Sequence, residues 1–94
     1  MSEYKDEEIM GFIKKDIIRV DADYRMLKDY VMKIKGPIAY IRGPKINDWN
    51  RMLITEKIHV VLDLLCLNKN IRKISLGKLP VDEFIWERIY KLGL

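Results

Sequence analysis

The sequence predicts a small, helix-dominated α+β domain, and three observations lead there. Apolar residues recur at helical spacing over most of the chain, a short β-branched and aromatic segment sits between two Gly-Pro pairs, and a second alternating segment follows a long apolar stretch. About four helices are expected (7–20, 23–35, 47–67 and 82–92), with a small two-stranded sheet (37–42 and 71–76).

Each element has a local cause. In the first, Ile9, Ile13, Ile17 and Val20 form one helical stripe, with Met10 and Phe12 beside it. Asp21-Ala22-Asp23 offers an N-cap carboxylate for the second, where Tyr24, Leu27, Val31 and Ile34 repeat at i, i+3 and i+7 until Gly36 stops the helix. Ile38-Ala39-Tyr40-Ile41-Arg42 is too short for a helix and has the residue types of a strand. Asn47 or Asp48 can cap the next helix, whose apolar positions, from Trp49, Met52 and Leu53 through Leu67, cover most of its circumference and call for burial on several sides. A competing reading makes residues 58–67 a strand, because a short apolar run fits either period. Residues 71–76 alternate well enough to pair with 37–42, and a long helix between two strands makes them parallel neighbours. Asp82 then caps a closing helix with Phe84, Ile85, Ile89 and Leu92 inward, and Gly93 ends it.

Ninety-four residues at 11.2 kDa are expected to form one domain, 1–94, because a chain this short buries only roughly two-thirds of its unfolded surface and cannot fill two cores. With 49% hydrophobic and 34% charged residues, it has enough apolar material to fold. The longest nearly apolar run is about half the roughly 20 residues of a membrane span, and the acidic start is the wrong charge for a signal peptide. A cytoplasmic protein with no membrane partner is expected. Fourteen isoleucines, no glutamine, and a surface of Lys, Glu and Asp suggest a thermophile, archaeal or viral source.

The charge is uneven. Residues 1–30 carry six basic against eight acidic side chains, whereas residues 31–94 carry twelve against six. Lys69, Arg72, Lys73 and Lys78 fall in a stretch, 64–80, that has no acid at all. A cationic patch attracts polyanions regardless of sequence, so nucleic acid is the first partner to expect, with Arg42, Lys45 and Arg51 extending the patch.

Residues 61–75, Val61-Leu62-Asp63-Leu64-Leu65-Cys66-Leu67-Asn68-Lys69-Asn70-Ile71-Arg72-Lys73-Ile74-Ser75, are similar to the first helix, turn and second-helix start of homeodomain-like helix-turn-helix units. Ile74, Ile85 and Ile89 match the spacing of apolar anchors in such units, although Leu79 falls a position late and Pro80 occupies the turn. The resemblance spans residues 61–92 and implies an all-α alternative fold and DNA, in preference to RNA, as the ligand. Asp82, Glu83 and Glu87 stand where phosphates would repel carboxylates.

Reaction chemistry is weakly represented. His59 and Asp63, four apart on one helix, fit an acid-base pair but equally a surface contact, and Cys66 fits core packing. One histidine and one cysteine cannot make a zinc site, and Gly43-Pro44-Lys45 lacks P-loop spacing. No catalytic residue, metal or cofactor is expected, and the chain reads as a non-enzymatic nucleic-acid-binding protein. Tyr40 and Trp49 lie near Arg42, Lys45 and Arg51, where aromatic faces can stack on bases, though Trp49 is expected to pack inward. Trp86 and Tyr90 share one side of the last helix and form a protein interface in the alternative reading, an adaptor or accessory subunit. A homodimer is compatible with both.

Overall fold

The computed structural model describes residues 16–94. Strands and helices alternate: β1 (Ile17–Arg19), α1 (Tyr24–Lys33), β2 (Ile38–Arg42), α2 (Arg51–Leu65), β3 (Lys73–Ser75) and α3 (Glu83–Leu92). The strands make one three-stranded sheet in the order β1-β2-β3, with both pairings parallel. Ile18 lies beside Ile41, and Ala39 beside Ile74. Two right-handed crossovers stepping the same way along a sheet leave their helices on one face of it. Consistent with this, α1 packs on α2, and α2 also carries α3.

This is the helix-rich α+β architecture expected, with three helices and three strands among the described residues in place of four helices and two strands. The difference lies in the first expected helix. Residues 7–15 of it fall outside the described residues, and Ile17–Arg19 is a strand. The segment supports both periods: Ile17 and Val20 fit a helical stripe, while Ile18 and Val20 fit a strand's inner face. Pairing with β2 buries both Ile18 and Val20 completely. Burying Ile18, which the helical stripe leaves out, is worth about 2 kcal/mol.

The other elements shift at their ends. Of the two carboxylates in Asp21-Ala22-Asp23, Asp23 caps α1, accepting from the Met26 N–H at 2.8 Å. The expected strand 37–42 is Ile38–Arg42, and 71–76 contracts to Lys73–Ser75. The all-α alternative does not hold, because a strand occupies Lys73–Ser75 between α2 and α3. Residues 58–65 are helical, so the competing strand there is also corrected. α2 begins at Arg51, four residues later than expected, because Asn47 and Asn50 first build a turn. Asn47 Oδ1 accepts from the N–H groups of Trp49 and Asn50, and Asn50 Oδ1 accepts from the Asn47 N–H. That turn carries the start of α2 out of the core: Trp49, Met52 and Leu53 are exposed, against the expectation of burial. Asp82 caps α3 through the Ile85 N–H, and Gly93 closes it in the left-handed region at φ 76°. Ile85 and Ile89 point inward as expected, whereas Phe84 and Leu92 are exposed.

The core sits between the sheet and its helices. Ile18, Ala39 and Ile41 from the strands meet Leu27 and Val31 of α1 and Ile54, Ile58, Val61 and Leu62 of α2. Ala39, one of only two alanines, lies mid-strand in β2, where a small side chain lets helices approach the sheet closely.

Candidate nucleic-acid interface

The cations singled out in the sequence divide between the two ends of the sheet. Lys69, Arg72 and Lys73 lie where β3 begins, all exposed. Lys78 follows β3, Lys45 follows β2 and Arg51 opens α2, which places these three at the opposite end, where the strands finish. The expected continuous patch is therefore two patches separated by the length of the strands.

The first end gains two lysines that sequence reasoning passed over. Lys33 closes α1 and Lys35 stands in the turn before β2, both exposed. Their loop is locked to the one carrying Lys69 and Arg72. Asn68, the buried polar side chain among the described residues, donates from Nδ2 to the carbonyls of Val31 (2.7 Å) and Ile34 (2.8 Å), and its Oδ1 accepts from the Asn70 N–H at 2.9 Å. The Arg72 N–H donates to the Pro37 carbonyl at 2.7 Å. Gly36, at φ 72°, completes the join, since a Cβ there would stand 2.2 Å from the Asn70 carbonyl oxygen. Two stretches without an acid, 30–47 and 64–81, thus meet through Asn68 and bring Lys33, Lys35, Lys69, Arg72 and Lys73 to one end of the molecule. The detectable signal for the two missed lysines was that shared lack of acids on either side of Gly36-Pro37.

The second end is mixed in charge. Asp21, Asp23, Asp48, Asp82 and Glu83 occupy the same strand-end loops and helix starts as Lys45, Arg51 and Lys78. Arg42 is half-buried and spent on structure: Nη1 donates to the carbonyls of Ile41 and Ser75, each at 2.9 Å, and Nη2 to Ser75 Oγ at 3.3 Å. Its guanidinium also lies 5.6 Å from the Tyr40 ring centroid, a cation-π pair within β2. Gly77 leaves room for it, since a Cβ would come within 3.2 Å of Nη1. Tyr40 therefore faces its own strand's arginine, while Trp49, 94% exposed, stands beside Arg51 at the start of α2.

The remaining candidates have clear surroundings. His59 and Asp63 both meet Arg88 of α3, which donates from Nη1 to His59 Nδ1 at 3.0 Å and from Nη2 to Asp63 Oδ1. Cys66, expected in the core, is exposed at the end of α2. Trp86 and Tyr90 are exposed on α3, at 54% and 84%. Among the described residues there is no cluster of metal-ligating side chains, and no helix is long and apolar enough to cross a membrane. The chain matches no family model, no curated protein and no solved structure.

Proposed function

We propose that the chain is a small non-enzymatic nucleic-acid-binding protein that meets a phosphate backbone with Lys33, Lys35, Lys69, Arg72 and Lys73, with duplex DNA as its first ligand. The observation that carries this reading is the joining of two acid-free stretches through Asn68, which sets five cations at one end of the fold without an intervening carboxylate from either stretch. Lysines and arginines so placed release condensed counterions from a polyanion, so affinity depends steeply on salt. Cations at helix C-termini also favour the helix dipole, which accounts for Lys33. It does not account for Lys35, Lys69 and Arg72, which lie outside the helices.

Fluorescence polarisation of labelled duplex DNA across a salt series tests the proposal. If all five cations contact phosphates, the slope of log affinity against log salt is about −4 to −5. The pair Lys69→Ala and Arg72→Ala flattens it by about 2, whereas Lys45→Ala with Lys78→Ala leaves it unchanged. A slope near zero in the unmodified chain overturns the reading. An effect confined to Lys45 and Lys78 moves the interface to the other end.

A further inference from the structure

β3 is an edge strand: among the described residues β2 pairs with it on one side and no strand pairs on the other. Hydrogen-bond direction fixes which groups are left over. The Lys73 N–H donates to the Pro37 carbonyl at 3.1 Å, so Lys73 and Ser75 turn their backbone groups toward β2. By strand alternation, the N–H and C=O of Ile74 face outward. Beside that edge runs an apolar groove of about 430 Å³, lined by Ile74, Leu76, Val81, Trp86, Ile89 and Leu94. Backbone groups awaiting partners next to an apolar trough are what an added strand uses, the ladder giving affinity and the trough taking alternate side chains.

Charge selects the occupant. Arg72 precedes β3 and Lys73 opens it, both exposed, while past the end of β3 Lys78 shares the surface with Asp82 and Glu83. We infer that the β3 edge and its groove receive an extended segment of a partner protein, apolar in its centre and carrying carboxylates at the end that meets Arg72 and Lys73, as a fourth strand of the sheet. It shares Arg72 and Lys73 with the phosphate-binding reading but also depends on Ile74 and Trp86, which that reading does not use.

The probe is a fluorescent nonapeptide of alternating valine and threonine with a glutamate pair at one end, titrated with the full chain. Saturable binding is expected, weakened at least tenfold in Trp86→Ser and when lysines replace the peptide's glutamates. A peptide N-methylated on alternate residues, which cannot form the ladder, is expected to lose binding equally while the protein itself is unaltered. Equal binding of the N-methylated or lysine-bearing peptide overturns the inference, as does no binding at all, in which case Lys73 only guards the edge. Sedimentation revealing a dimer that Trp86→Ser dissociates assigns the edge to a second copy and also overturns it. The DNA titration is read separately, so failure of either proposal leaves the other measurable.

Discussion

Arg88 of α3 donates from Nη1 to His59 Nδ1 of α2 at 3.0 Å, and the same nitrogen reaches the His59 carbonyl at 3.2 Å. A guanidinium has only donors, so Nδ1 is the acceptor here and a neutral ring carries its proton on Nε2. With Nη2 on Asp63, one side chain joins two helices.

Arg88→Ala is expected to cost about 1 kcal/mol, because it removes hydrogen bonds to a half-buried ring and carbonyl. Asp63→Asn should cost less than about 0.5 kcal/mol, since Asp63 is largely exposed and such ion pairs are screened. Urea denaturation of both variants checks the order. Equal losses would place the weight on the ion pair.

Asn68→Ala should destabilise by about 2–3 kcal/mol, because it removes both Nδ2 hydrogen bonds, taking the donor from the buried Ile34 carbonyl and leaving the Val31 carbonyl with the Ile34 N–H at 3.4 Å. Asn68→Asp is expected to be worse, since an acceptor would then face two carbonyls. Thermal melts of the two variants distinguish lost hydrogen bonding from lost packing, which would spare the near-isosteric aspartate.

Gly36 and Gly93 separate strain from collision. Both have positive φ, at 72° and 76°, but a Cβ at Gly93 meets nothing within 4 Å. Gly93→Ala should cost about 1 kcal/mol from conformation alone. Gly36→Ala should cost about 3 kcal/mol, because the Asn70 carbonyl must also move. Chemical denaturation gives both values, and near-equal costs would mean that the loop yields freely.

Much of the fold was legible because its signals are local. A carboxylate of Asp21-Ala22-Asp23 caps α1, Asp82 caps α3 and Gly93 ends it, and the pairing of Ile38–Arg42 with the strand beyond α2 is parallel. The candidate site was legible in composition and not in arrangement. Lys69, Arg72 and Lys73 stay together because they are neighbours in the chain. Lys78, only five residues past Lys73, is carried to the other end by an extended strand, while Lys33 and Lys35 arrive from a distant stretch. Arg42 reads as a free cation until Ser75, thirty-three residues later, is placed against it.

The amino-acid order by itself determined the capping of α1 and α3, the position of β2 and the concentration of positive charge in the last two-thirds of the chain. These follow from residue types and spacings within a few turns. Only the tertiary structure decided that Ile17–Arg19 is a strand, that Trp49 faces outward, and that the cations fall at two ends. Two of those outcomes are set by partners far away in sequence, since β2 lies beside Ile18 and Asn68 holds two loops together, while the Asn47–Asn50 turn carries Trp49 out of the core. A short apolar segment has no preferred period until such a partner supplies it.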